Sequence, residues 1–301
     1  MEKILAIQRR FFRKEKNKFL SAVEEKLTEY GYEFERKKFG SVLKSVNLET
    51  KSTQPEFIFI AHYDTGTIMP IWVSWFMRFF GVNNQLLIGI PAGFFLGLFS
   101  ALGDFHIGFS IAYWVIFMSL LTILIPNRKN FDDNTSGVVA LLSLAKKCKE
   151  KGIEYVKFVF VDNEELGLIG SSAHRKYLEK EQLISPHSKI ISLDCVGVGE
   201  FPLLMRNSHS DYEVFFRQAL QNEFDLCKSI QMIIPVSDNF PFRKYGALNI
   251  SFVKKAVFPS GYSLSNVHSS KDDFIDLHKI EKLTDALANA VEIVTLPTTF
   301  K

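Results

Sequence analysis

The sequence predicts an α/β protein: a mostly parallel mixed sheet with helices on both faces. Apolar segments of strand length alternate along the chain with longer segments that carry an apolar stripe, as expected for strands joined by crossover helices. The 301 residues are enough for one large α/β domain with a sizeable core, or for two small ones. There is no internal repeat and no low-complexity segment to suggest another architecture.

The individual elements follow in order from this alternation. Four segments are predicted as strands: 56–62, 154–162, 188–195 and 247–253. Five segments are predicted as helices: 8–30, 135–150, 171–180, 211–222 and 277–295. The second of these helices follows Asn134 and Thr135, a pair of residues typical of a helix N-terminus.

The net charge excludes few functions, but the charged residues are unevenly distributed along the chain. A formal net charge of +3 is too small to predict a nucleic-acid partner. Residues 1–40 hold 11 Lys/Arg against 7 Asp/Glu, so this basic arm is either a solvated helix face or a contact with an anionic membrane surface. The 3 cysteines form no CxxC pair, which favours a reducing compartment, and the charged N-terminus does not resemble a signal peptide.

Two long apolar segments interrupt the α/β pattern. Residues 86–103 and 107–125 contain no charged side chain, and only Asp-Phe-His separates them. As helices they are about 27–28 Å long, close to the thickness of a hydrocarbon core. The preceding segment 68–80, rich in aromatic residues, suits the membrane interface. We therefore predict a transmembrane helical hairpin; a buried hairpin or a dimer interface is the alternative.

This hairpin divides the predicted domain in two. Residues 1–67 form the first part of a catalytic-type domain, 68–125 a membrane-associated insertion, and 126–301 the second part. Basic residues flank the open side of the hairpin, so the positive-inside rule places the rest of the chain on the cytoplasmic side. We therefore expect the protein to be located in a membrane, with two spans and the lipid bilayer as a partner. The sequence does not indicate which oligomeric state the protein has.

Histidine and acidic residues follow the predicted strands. In a parallel sheet such residues converge on one edge, where several carboxylates repel one another unless a cation lies among them. Nitrogen and oxygen ligands of this kind suit Zn²⁺. The adjacent glutamates then have separate tasks, since one can bind metal while the other moves protons. The residues concerned are His62, Asp64, Asp132, Asp133, Glu164, Glu165, Asp194 and His268.

Each motif alone is weak, but their order resembles peptidase family M28, the two-zinc aminopeptidases. The series is HxD, DDNxSG, EExGxxGS, an Asp after a strand, and HSxxD; it covers roughly residues 50–295 apart from the hairpin. The resemblance implies the zinc aminopeptidase fold and two Zn²⁺ ions per chain. It implies that Asp133 bridges both ions, with His62 and Asp194 on one, and Glu165 and His268 on the other. It makes Glu164 the general acid/base and Asp64 the partner that orients His62.

The resemblance has departures and rivals. Many relatives have histidine where this chain has Asn239, in the segment SDNFPF. Family M20 has similar motifs but inserts a lid domain, for which the 74 residues between Asp194 and His268 are too few. Two alternatives remain, a glutaminyl cyclase and a catalytically inactive membrane scaffold. We predict a membrane-anchored zinc-dependent aminopeptidase that takes peptide substrates.

Overall fold

The computed structural model describes residues 1–41, 43–52, 55–84, 122 and 124–295. Nine strands of this part of the chain form one mixed sheet. They are β1 Phe34–Phe39, β2 Ser45–Thr50, β3 Phe57–His62, β4 Val156–Val161, β5 Lys189–Leu193, β6 Phe201–Arg206, β7 Lys228–Gln231, β8 Leu248–Lys255 and β9 Tyr262–Ser263.

The centre of the sheet is parallel and its edges are mixed. The strand order is β1-β2-β4-β3-β5-β8-β6-β7, with β9 paired to β8. Strands β4, β3, β5 and β8 run parallel, whereas β2 joins β4, and β6 joins β8, in antiparallel pairs. The predicted α/β class is confirmed, although antiparallel pairs are more frequent than a mostly parallel sheet implies.

Helices cover both faces of the sheet. They are α1 Glu2–Leu5, α2 Arg13–Glu29, α3 Ile71–Phe80, α4 Gly137–Glu150, α5 Ile169–Lys180, α6 Glu213–Gln221 and α7 Leu277–Thr295. Side chains alternate along β3: Phe57 and Phe59 join the core formed with α2, α4, α6 and α7, whereas Ile58 and Ile60 join the core under α5. The strand is fully buried because both of its faces are covered.

Two basic residues of the N-terminal arm are buried, whereas Arg13, Lys14 and Lys18 are exposed on α2, as expected for a solvated helix face. Arg10 and Lys16 are 0% and 7% exposed. Lys16 Nζ donates to Asp162 Oδ1 (2.6 Å) and to Asn163 Oδ1 (2.7 Å), directly after β4. A charge count along the sequence does not reveal this burial, because Asp162 comes from a distant part of the chain.

The predicted membrane localisation is wrong on the present finding: within the described ranges, no helix is both long and apolar enough to cross a bilayer. The described helix nearest to the predicted hairpin, α3, has 10 residues and is about 15 Å long, half of a hydrocarbon core. The second predicted span was to end at Ile125, but residues 124–125 are not helical, and Pro126 pairs with Thr67 in an isolated bridge. The rest of spans 86–103 and 107–125 lies outside the described residues, apart from residue 122.

The segment that begins at residue 68 packs against the catalytic-type domain. Phe76 of α3 and the following Val82 are 7% and 2% exposed. Val82 lies in a cluster with Leu203 of β6 and Val253 of β8. The bridge between Thr67 and Pro126 brings the two ends of segment 68–125 together. The division at residues 67 and 125 stays a prediction.

Glu179 of α5 provides a test of the contact between α5 and the turn Phe240–Tyr245. Its carboxylate accepts hydrogen bonds from Arg175 (2.6 Å) and Tyr245 (3.0 Å) and pairs with Lys244 (2.6 Å). Burial raises its pKa, but these partners outweigh that effect and lower it to about 2. Since the folded pKa is depressed from 4.5, the stabilisation is present at neutral pH and is lost as pH falls towards about 2.

We therefore expect Glu179→Gln to lower the free energy of unfolding by about 1 kcal/mol at pH 7. Urea unfolding at several pH values should show this difference shrinking as pH falls below 4.5 and vanishing near 2. The matched control is Glu181→Gln, since Glu181 has one ion-pair contact, to Lys180 at 3.9 Å. A difference between Glu179→Gln and the wild type that stayed constant with pH would contradict the assigned role.

Candidate metal centre

The five residues predicted as metal ligands come together at the carboxyl edge of the parallel strands. His62 is the last residue of β3, Glu165 lies in the loop after β4, and Asp194 directly follows β5. Asp133 lies in the turn before α4, and His268 lies between β9 and α7. The sheet therefore gathers residues that are up to 206 positions apart in the sequence.

Two sets of ligand atoms share one carboxylate. His62, Asp133 and Asp194 form the first set, and Asp133, Glu165 and His268 form the second. Within each set, the ligand atoms all lie within 4.8 Å of one another. A third grouping, His62 with Glu164 and Glu165, meets the same limit. The first two sets have the arrangement implied by the family resemblance, with Asp133 between two ligand groups.

The distances within these sets fit atoms around a shared cation. His62 Nε2 is 3.4 Å from Asp133 Oδ1 and 3.6 Å from Asp194 Oδ1. His268 Nε2 is 3.6 Å from Asp133 Oδ2 and 3.5 Å from Glu165 Oε2. These separations are long for hydrogen bonds. Two ligand atoms about 2.1 Å from one tetrahedral metal ion are ~3.4 Å apart, which is close to the observed values.

Backbone contacts fix the central ligand. The carboxylate of Asp272 accepts the N–H groups of Asp132 (2.7 Å) and Asp133 (3.1 Å). The side chain of Asn134 accepts the N–H of Cys195 (3.3 Å) and donates to the carbonyl of Leu193 (2.9 Å). The Asp133 loop is therefore tied both to the segment after His268 and to the end of β5.

Asp132 ties together the loops that carry two of the ligands. Its Oδ1 accepts the N–H groups of Gly197 (2.7 Å) and Val198 (3.1 Å), three and four residues after Asp194. The side chain is fully buried, and burial together with the charge of Asp272 raises its pKa well above the ordinary value. Asp132 thus lies behind the site and supports it.

Asp64 contacts the glutamate pair as well as the histidine. Its Oδ1 is 3.6 Å from His62 Nδ1, which is beyond hydrogen-bond length. Its two oxygens instead accept the N–H groups of Glu164 (3.1 Å) and Glu165 (3.3 Å). Sequence reasoning identified Asp64 only through its spacing from His62 and missed this contact with the loop after β4.

The electrostatics of the site favour a bound cation. Burial, and then the charge of Asp133, raise the pKa of Glu165 well above its usual range, and burial likewise raises the pKa of Glu164. Burial would lower the pKa of His62, but Glu164 and the neighbouring aspartates outweigh it and raise that pKa. A divalent cation among these groups relieves the repulsion between the carboxylates.

A cavity of about 200 Å³ opens onto the ligands. Glu164 lines it together with all five candidate ligands. Its other walls are largely apolar, and they come from α3, from the segment after it, and from the loops before the turn Phe240–Tyr245 and after β9. The apolar residues include Met77, Val82, Val236 and Leu264.

Sequence reasoning missed one further acidic residue near the ligands, Asp238. It is fully buried, and neither of its carboxylate oxygens has a hydrogen-bond partner within the described part of the chain. Burial raises its pKa to about 7. In the segment SDNFPF it directly precedes Asn239, whose amide donates to Asn207 Oδ1 (3.2 Å).

Comparison with known proteins agrees with this geometry. A model of peptidase family M28 matches residues 125–291, which is more than half of the chain. The chain belongs to peptidase family M28. No curated protein sequence matches it.

Several solved structures share the fold at low sequence identity. A glutaminyl cyclase of Bacteroides thetaiotaomicron has a TM-score of 0.63 at 15% identity, over 96% of this chain and 94% of that one. A Zn-dependent exopeptidase of Parabacteroides distasonis has a TM-score of 0.63 at 14% identity, over 96% of this chain and 94% of that one. A leucine aminopeptidase precursor of B. thetaiotaomicron has 0.60 at 15%, over 96% and 93%. At these identities the matches establish the fold, and they do not separate hydrolysis from cyclisation.

The residues present fit zinc. Each of the two ligand sets that share Asp133 combines one imidazole nitrogen with carboxylate oxygens, a donor set that zinc accepts in catalytic sites. The M28 assignment and the likeness to a Zn-dependent exopeptidase agree with this choice. Binding of two ions per chain stays a prediction.

Because Asp133 belongs to both ligand sets, its loss should remove metal from both. We expect Asp133→Ala to retain no stoichiometric zinc after gel filtration, measured by elemental analysis of the purified protein. The matched control is Asp211→Ala, since the side chain of Asp211 is 93% exposed and pairs with His209. Full zinc content in Asp133→Ala would contradict the central position of this carboxylate.

Proposed function

We propose that this M28 protein is a zinc-dependent aminopeptidase that removes single residues from the N-terminus of peptides. Asp133 would bridge two zinc ions, with His62 and Asp194 completing one site and Glu165 and His268 the other. Glu164 would be the general acid/base. The observation that carries the proposal is the pair of ligand sets sharing Asp133, with Glu164 beside them at the cavity.

Bound zinc would supply a Lewis acid and lower the pKa of a coordinated water. The chain's own residues would do the rest. Burial raises the pKa of Glu164, which suits a group that takes a proton from water and passes it to the leaving amine. Asp64 accepts hydrogen bonds from the backbone N–H groups of Glu164 and Glu165. These bonds would fix the position of the proton carrier, Glu164, relative to the ligand, Glu165.

The cavity walls support a preference for apolar N-terminal side chains. Met77, Val82, Val236 and Leu264 face the same space as the candidate ligands. Burying an apolar side chain against such a wall is favourable by about 25 cal/mol per Å². Carboxylates beside the ligands would bind the positively charged terminal amine. Binding of this amine is what distinguishes an exopeptidase of the N-terminus from an endopeptidase.

A glutaminyl cyclase is the second candidate, because solved cyclases match the fold as well as the peptidases do. In cyclisation the substrate's own α-amine attacks the side-chain carboxamide of N-terminal glutamine, and ammonia leaves. In hydrolysis water attacks the first peptide bond, and a free amino acid leaves. Both reactions use a base at the position of Glu164, so the products decide between them.

We expect Glu164→Gln to keep its zinc and to lose activity by a factor of about 10² or more, since an amide cannot accept the proton. Zinc content and turnover are measured on the same preparation. Glu154→Gln, at an exposed position before β4, is the matched control. Near-normal turnover in Glu164→Gln at full zinc content would exclude Glu164 as the proton carrier.

The reaction type is tested with peptides that begin with leucine or glutamine. We expect free leucine and a shortened peptide from the wild-type protein, detected by mass spectrometry. Ammonia and a pyroglutamyl peptide, without shortened products, would instead identify a cyclase. Zinc binding without either product would favour the inactive scaffold.

A further inference from the structure

Arg10 lies buried next to the candidate metal centre, at a position that the family motifs do not include. Its side chain is 0% exposed. Nε donates to the carbonyl of Tyr63 (2.5 Å), between His62 and Asp64 in the sequence. Nη1 donates to Thr135 Oγ1 (2.9 Å), two residues after Asp133. One guanidinium group therefore joins two of the loops that carry ligands.

This arginine is a buried cation without a direct ionic partner. Within the described residues, no carboxylate lies at ion-pair distance from the guanidinium of Arg10, and its Nη2 has no hydrogen-bond partner. The ring of Phe19 packs against the guanidinium, whose carbon is 4.4 Å from the ring centre. Burial lowers the pKa of Arg10 to about 10, so the group remains charged, and the fields of Asp64 and Asp133 oppose the shift.

We propose that Arg10 is a fixed countercharge of the metal centre, which stabilises the carboxylate cluster when metal is absent and weakens metal binding. A buried cation and a bound divalent ion offset the same negative charge, so each lowers the favourable effect of the other. Arg10 is thus a positioning residue that acts through the ligand loops. This inference rests on the proposed metal centre and does not depend on whether the reaction is hydrolysis or cyclisation.

The test compares Arg10→Met with Arg10→Lys. Both variants lose the guanidinium hydrogen bonds, but only methionine removes the charge. We expect Arg10→Met to bind zinc roughly 10-fold more tightly than Arg10→Lys, measured by competition with a chromophoric chelator. Thermal unfolding should show that Arg10→Met lowers the Tm of the chelated protein more than that of the zinc-loaded protein.

The control is Arg36→Met, which removes an arginine paired with Glu24 and should leave zinc affinity unchanged. Equal zinc affinities in Arg10→Met and Arg10→Lys, with equal losses of Tm in both metal states, would overturn the proposal. Arg10 would then only stabilise the fold. If Arg10→Met does not fold in either state, Arg10→Gln replaces it in the comparison with Arg10→Lys, and the same two outcomes apply.

A second, independent observation concerns Arg78 of α3, which lines the cavity beside the ligands. Its Nη2 donates to Asn266 Oδ1 (2.8 Å), and Asn266 lines the same cavity. Within the described ranges, this is the one hydrogen bond of a group with five donors, and no carboxylate lies at ion-pair distance. An arginine that is anchored at the cavity and has further donors unpaired among the described residues has the geometry to receive a carboxylate.

We infer that Arg78 binds the free C-terminal carboxylate of a short peptide substrate. The inference rests on the proposed function, because it takes the candidate ligands as the site of the terminal amine. The candidate ligands and Arg78 line the same cavity, so a short peptide bound there by its terminal amine would bring its carboxylate towards Arg78. Segment 68–125 would then contribute to specificity through α3.

The experiment compares a leucyl dipeptide with its C-terminal amide. The wild-type kcat/KM should be about 10-fold or more higher for the free acid, and Arg78→Met should bring the ratio of acid to amide close to one. Arg78→Lys should restore part of it, since lysine lacks the fork geometry. Equal wild-type values for acid and amide, or equal losses in Arg78→Met, would overturn the inference. Turnover of glutaminyl dipeptides alone would show separately that the proposed hydrolysis fails.

Discussion

Mutual repulsion among buried carboxylates is the constraint on which this structure depends. Asp133, Glu165 and Asp194 lie at one edge of the sheet within reach of two histidines, and Glu164 adds a further acidic group. A group of this kind cannot remain buried and ionised unless positive charge lies close by. The chain provides imidazoles and a buried arginine, and the geometry leaves ligand spacings that fit a cation. The fold around the site is organised to hold these charges in place.

Rigidity at the centre comes from carboxylates and amides that bind backbone N–H groups, and not from the ligands themselves. Asp272 holds the Asp133 loop, Asp132 holds the loop after Asp194, and Asp64 holds the glutamate pair. Each acidic residue next to a ligand thus fixes the backbone of a different ligand loop. Since no loop is fixed by its own side chains alone, the ligand geometry is a property of the whole carboxyl edge.

The sequence predicted the elements whose pattern is local and failed where burial depends on distant residues. The predicted helix 277–295 coincides with α7, and the central strands agree within a few residues. Strand β1, with the sequence FERKKF, was missed because its charged side chains conceal an edge strand. Arg10 was assigned to a basic surface because its partners, Tyr63 and Thr135, are 53 and 125 positions away. Hydropathy of residues 86–125 likewise measures composition, and it does not establish what surrounds a segment.

The ligand chemistry of the site leaves the reaction open, and the cavity walls are where the two reactions make different demands. A general base beside a cation serves a water molecule or a substrate amine equally well, so the ligand sets are compatible with peptidase and cyclase activity. The two reactions differ in what the space beside Glu164 must hold. Hydrolysis needs water together with the first peptide bond, whereas cyclisation needs a glutamine side chain folded back towards the substrate's own amine. The walls include Met77, Val82, Val236 and Leu264, which lie outside the motifs that define the site. Tests of substrate and reaction therefore belong on these wall segments, separately from tests of the candidate ligands.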